Sequence, residues 1–158
     1  TNDSLVLGVA LFAFANFSGR LGWGFLSDHI GASLAIFFAL LFQAVSILSL
    51  ILFPLTDTLY LALSVLIGFG FGGNFVLFAK ESAQVFGVKN LGLVYPYVFI
   101  GSAFAGIAGP FSGGLLFDIS GSYNYAIILA STMSVLGSLI FLIHFIKSRG
   151  DKSSINKL

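Results

Sequence analysis

Residues 32–53 read ASLAIFFALLFQAVSILSLILF, one unbroken apolar run without a charged side chain. About 20 apolar residues, wound as a helix rising 1.5 Å per residue, span the ~30 Å hydrocarbon core of a bilayer. A strand of a transmembrane barrel would alternate apolar and polar residues, and this run does not. It begins after Gly31 and stops at Pro54, followed by the polar Thr56-Asp57-Thr58. The stretch predicts a membrane-crossing helix.

Working outward, charges, prolines and turn residues break the chain into four further apolar spans. Before the quoted run lies a span at about Leu5 to Leu26, ended by Ser27-Asp28-His29; after it lies one at about Leu59 to Ala79, ended by Lys80-Glu81-Ser82. Two more run from about Leu91 to Phe117 and from about Tyr123 to Ile146, and residues 147–158 form a polar tail. Pro96 and Pro110 predict a kinked or tilted fourth span. The expected fold class is all-α, a polytopic membrane protein of five helices.

Composition agrees. Of 158 residues, 58% are hydrophobic and 8% charged, against about 25% charged in a soluble domain. Such a chain cannot cover a globule with solvated side chains, which excludes a soluble enzyme or a disordered tail. A net charge of +1 offers no basic face for nucleic acid. There is no cysteine, and the two histidines, His29 and His144, are too few and too far apart in sequence to suggest a metal site, so no cofactor is expected. The 19 glycines predict helices in close approach. The sequence opens on Thr1 with no signal-peptide n-region, and it reads as a piece of something longer.

Five spans put the termini on opposite sides. Residues 27–31, 80–90 and the tail then share one side, with Lys80, Lys89, Lys147, Arg149, Lys152 and Lys157. The other side holds Asp3, Asp57 and Asp118 and no Lys or Arg. By the positive-inside rule the tail is cytoplasmic, in a multi-pass protein of the plasma membrane.

The seventh basic residue, Arg20, precedes Asp28 by eight residues, which places it about 12 Å inside the membrane end of its helix. A charge at that depth costs roughly 2.5–3.5 kcal/mol on insertion scales, and snorkelling recovers only part of the distance. Arg20 should therefore face a partner or a water-filled cavity: either an ion pair with Asp28 or Glu81, or an anion pathway. Asn16 lies one turn earlier on the same face. Asn74, Gln43, Tyr95 and Tyr97 are the other large polar side chains at depth. Taken singly, each suits an interhelical hydrogen bond. Converging on a cavity with Arg20, they would bind a small anion.

Gly19-Arg20-Leu21-Gly22-Trp23-Gly24-Phe25-Leu26-Ser27-Asp28-His29-Ile30-Gly31 resembles the cytoplasmic loop motif of the major facilitator superfamily, in its copy between helices eight and nine. The resemblance implies that the five spans are helices eight to twelve, with helix seven and the N-terminal half of the transporter lying outside this sequence. Asn90-Leu91-Gly92-Leu93-Val94-Tyr95, Gly106-Ile107-Ala108-Gly109-Pro110 and Asp118-Ile119-Ser120-Gly121-Ser122-Tyr123 resemble the oxalate/formate antiporters and their monocarboxylate transporter relatives.

That resemblance implies an alternating-access transporter, not an enzyme. Its expected partners are a small carboxylate, a coupling ion or exchanged anion, and the lipid bilayer. Arg20 would anchor the carboxylate, with Asn16, Tyr95 and Asn74 beside it. Gly19, Gly24, Ser27, Asp28 and Gly31 would form the gating loop. Where monocarboxylate transporters often carry an aspartate, Asn16 cannot titrate. Where oxalate/formate-type members often carry a lysine, this sequence has Val98, which favours a monocarboxylate. The basic residues that usually follow the loop motif are replaced by Ala32-Ser33-Leu34, so the loop's ion-pair lock is expected to shrink to Asp28 and its neighbours. The competing readings are a superfamily transporter for a sugar, drug or nitrate, and a non-transporting membrane scaffold.

Overall fold

A computed structural model describes the backbone of residues 2–155 and the side chains of residues 4–148. Asp3, Arg149, Lys152 and Lys157, which enter the charge asymmetry, lie outside the described side chains, as does most of the polar tail. Five long helices follow one another: α1 (Asn2–Ile30), α2 (Ala32–Leu52), α3 (Asp57–Phe86), α4 (Leu91–Ser120) and α5 (Asn124–Ile155), with one 3-10 turn, Val88–Asn90, before α4. All five are long and apolar enough to cross a membrane. Several outrun their apolar spans: α3 continues through Lys80 and Glu81 to Phe86, and α5 continues to Ile155.

The helix ends follow from local chemistry. Gly31 adopts φ +88°, a conformation that L side chains rarely take, and so breaks α1 from α2 within one residue. Pro54 follows the end of α2. The Thr56 hydroxyl accepts from the Leu59 backbone N–H at 3.3 Å and caps α3. Gly121 closes α4, its N–H donating to the Phe117 carbonyl at 2.7 Å.

The helices form two closely packed pairs, α1 on α3 and α2 on α5, joined where α2 meets α3. The first pair is drawn together by absent side chains. A Cβ on Gly72 would collide with the Asn16 carbonyl oxygen, and one on Gly19 with that of Phe69. Small residues at such spacing let two membrane helices meet backbone to backbone, where packing rather than water drives association. Around this seam Trp23, Ala35, Ile36, Ala39 and Leu77 form the buried core. Helix α4 stands apart: none of its side chains is buried.

Polar contacts mark both ends of the α1–α3 pair. At one end Ser4 donates to Asp57 at 3.0 Å. At the other Lys80 reaches Ser27 and Asp28.

Candidate functional site

Arg20 lies on α1 between the two polar ends of the α1–α3 pair, eight residues before Asp28. Arg20 projects from α1 as an exposed residue, and its guanidinium carbon lies 5.3 Å above the centre of the Phe75 ring on α3. Among the described residues no carboxylate comes within ion-pair distance of it. The expected alternatives for an ion pair are both occupied: Asp28 pairs with Lys80, and Glu81 lies beside His144. A cation over an aromatic face gains a modest electrostatic attraction and keeps its five donors free for another acceptor.

Phe75 is also where α4 attaches. The Tyr95 hydroxyl donates to the Phe75 backbone carbonyl at 2.9 Å. The Tyr95 and Phe99 rings meet edge to face, their centres 4.9 Å apart, and Phe99 lies 6.2 Å from Phe75. Between α3 and α4 these rings line a partly open cavity of about 380 Å³, whose wall includes Asn74, Val98 and Ser102. Arg20, Tyr95 and Asn74 thus gather around one residue, Phe75. Asn16 lies one turn from Arg20 and is half-buried, its backbone carbonyl resting against Gly72.

The loop-motif residues occupy one end of the bundle. Ser27 donates to the Gly24 carbonyl at 2.6 Å and accepts from the Lys80 ammonium at 2.9 Å, while the same ammonium bonds Asp28. The partner of Asp28 therefore comes from α3, not from its own loop. Gly19 and Gly31 have steric reasons to be glycine. At Gly24 a Cβ would find only the Val76 side chain at 3.5 Å, an ordinary contact.

A cluster that sequence reasoning missed lies nearby. Glu81, buried on α3, accepts from the Ser33 hydroxyl of α2 at 2.6 Å, and the same oxygen lies 3.2 Å from the His144 ring of α5. Its other oxygen is buried with no partner among the described residues. A second cavity of about 640 Å³ opens beside it, lined in part by Gln84, His144 and Ser148. The only hint in the sequence was that Glu81, Ser33 and His144 all fall near span ends on one side.

Five helices long and apolar enough to cross a membrane, packed through a glycine seam, define a polytopic α-helical membrane protein. The chain belongs to the Major Facilitator Superfamily, whose profile matches residues 3–158. It is 31% identical over 93 residues to an uncharacterized MFS-type transporter, YhjX, of Escherichia coli K12, covering 59% of this chain and 23% of that protein. It is 28% identical over 127 residues to the oxalate:formate antiporter of Oxalobacter formigenes, covering 77% of this chain and 28% of that protein. The chain thus spans about a quarter of the length of these relatives. No solved structure matches it significantly.

Proposed function

We propose that the protein carrying this chain is a secondary transporter of a small carboxylate, most simply a monocarboxylate, working by alternating access. The observation that carries this reading is Arg20: a guanidinium at membrane depth, exposed, stacked on Phe75 and without a carboxylate partner among the described residues. Such a charge is costly unless it serves a pathway, and guanidinium can hold a carboxylate by two parallel hydrogen bonds. The likeness to an oxalate:formate antiporter over 77% of the chain supports an organic anion.

In this reading Asn16 and Asn74 add hydrogen-bonding capacity, and Tyr95 positions the aromatic floor on which Arg20 rests. The end with Asp28 and Lys80 faces the cytoplasm, as its basic residues direct. Gly19, Gly24, Ser27, Asp28 and Gly31, with Lys80, form the gate there. Asn16 does not titrate, so a proton does not couple through that position, and exchange against a second anion is the simpler cycle. The two halves of the full transporter rock about a site near the midplane.

The test is uptake of radiolabelled formate, lactate and oxalate into liposomes holding the full-length protein, wild type against Arg20→Gln. Saturable uptake lost in a folded Arg20→Gln protein supports the reading. Carboxylate uptake that survives the substitution makes Arg20 structural. An active wild type that neither takes up these three acids nor binds any larger carboxylate removes the substrate class.

A further inference from the structure

The cavity beside Arg20 has the wrong lining for the smallest carboxylates. Its walls include the rings of Phe71, Phe75, Phe78, Tyr95 and Phe99 together with Val98, and no Asp, Glu, Lys or Arg lines it. The Tyr95 hydroxyl is turned to the Phe75 carbonyl, so Tyr95 contributes its ring to the wall. At about 380 Å³ the space is well above the ~150 Å³ apolar cavity that suffices to hold benzene. Formate or oxalate would bury nothing apolar there, and a carboxylate drawn inside would lose water without a charged partner. A cation does stand close by, over the ring of Phe75, one of the cavity's own walls.

Resting on the carboxylate reading of Arg20, we propose that the substrate is an amphiphilic monocarboxylate with a cyclic or branched apolar body. The body fills the aromatic cavity between α3 and α4, and the carboxylate projects past Phe75 to the Arg20 guanidinium. Asn74 and Ser102 are the polar points on the wall, able to meet a single hydroxyl, oxo or amide group on the body. Burial of the body supplies affinity at roughly 25 cal/mol per Å² of apolar surface, and the single cation fixes its direction. An aromatic carboxylate such as 3-phenylpropionate and a branched one such as 4-methylpentanoate fit this description; oxalate, with two charges and no apolar part, does not.

Apolar weak acids leak across bilayers, so the test is binding rather than uptake. The full-length protein, purified in detergent, is held on scintillation beads with tritiated 3-phenylpropionate. Unlabelled 4-methylpentanoate, formate, oxalate and the uncharged 3-phenylpropanol then compete. The expected order places 3-phenylpropionate and 4-methylpentanoate at least about tenfold tighter than formate, oxalate and the alcohol, a step of about 1.4 kcal/mol. Val98→Trp, which fills the cavity, and, independently, Phe99→Ala, which removes part of its wall, should each weaken the two apolar acids about tenfold and so narrow their advantage over formate.

If formate binds as tightly as 3-phenylpropionate and both need Arg20, the inference fails while the carboxylate reading stands; the cavity is then filled by something else, such as a lipid chain. If the alcohol binds as well as the acid, or Arg20→Gln changes nothing, the carboxylate reading fails and takes the inference with it.

Discussion

Lys80 of α3 grips Asp28 at the end of α1, closing an ion pair between residues 52 positions apart. The same ammonium also holds Ser27. Because Asp28 is exposed, its removal should hardly change folding; screened surface pairs contribute little to stability. If the contact belongs to a gate, Asp28→Asn and Lys80→Gln should each lower the turnover of transport while leaving ligand affinity and melting temperature close to wild type. The charge-swapped double variant, Asp28→Lys with Lys80→Asp, should recover a measurable part of that turnover. Uptake kinetics and thermal melts in detergent read both quantities.

The glycine seam predicts a contrast between a glycine of α3 and one of α1. Gly72→Ala forces a Cβ into the Asn16 carbonyl, and overpacking of this kind costs about 1–3 kcal/mol. Gly24→Ala meets only the Val76 side chain at an ordinary distance and should be neutral or slightly stabilising, since alanine is the better helix former. A large loss of stability for Gly24→Ala would instead mean that α1 packs on α3 more tightly there than this contact indicates. Thermal unfolding of the two variants side by side makes the comparison.

Arg20→Lys separates charge from shape. Lysine keeps the positive charge but loses the planar fork and much of the stacking on Phe75. Carboxylate affinity should fall about tenfold for Arg20→Lys and between about tenfold and a hundredfold for Arg20→Gln, the range expected when hydrogen bonds to a charged group are lost. Equal losses in the two variants would point to geometry as the whole contribution. Equilibrium binding of a labelled carboxylate measures them.

Ser33→Ala should destabilise the protein by about 1–3 kcal/mol, because it strips a buried carboxylate of its 2.6 Å hydroxyl donor. The His144 ring, 3.2 Å from the same Glu81 oxygen, is then the carboxylate's remaining neighbour, since the other oxygen is buried with no partner among the described residues. Ser49→Ala is the control: among the described residues its hydroxyl bonds the Val45 carbonyl of its own helix, and its loss should lie within about 0.5 kcal/mol. Melting temperatures in detergent decide between them.

The fold was legible because membrane helices announce themselves by apolar length and by the charges, prolines and glycines that interrupt it. Residues 32–53 needed no tertiary information to be read as a helix. Arg20 was legible for the same reason: a charge at the wrong depth stands out in one dimension. Its surroundings were not. The ring beneath it belongs to α3, and Phe75 is one of 19 phenylalanines with nothing in its local sequence to single it out. Lys80 was read from hydropathy as a boundary marker; its role as Asp28's partner depends on the register between α1 and α3, which the Gly19 and Gly72 contacts set. The Glu81–Ser33–His144 cluster joins three helices and carries no periodicity that one helix could reveal.

Helix α4 runs 30 residues, contains Pro96 and Pro110, and buries none of its side chains. Each proline withholds one backbone donor from the helical ladder, and peeling α4 away uncovers little that the other helices had covered. Among these five helices taken by themselves, it is therefore the segment whose amides should trade hydrogen for deuterium soonest. The aromatic cavity borrows one wall from this helix, through Tyr95, Val98 and Phe99. A guest wedged there would splint the loosest element of the chain to one of the tightest. Occupancy would then be audible far from the guest itself, as slowed isotope exchange along the whole length of α4.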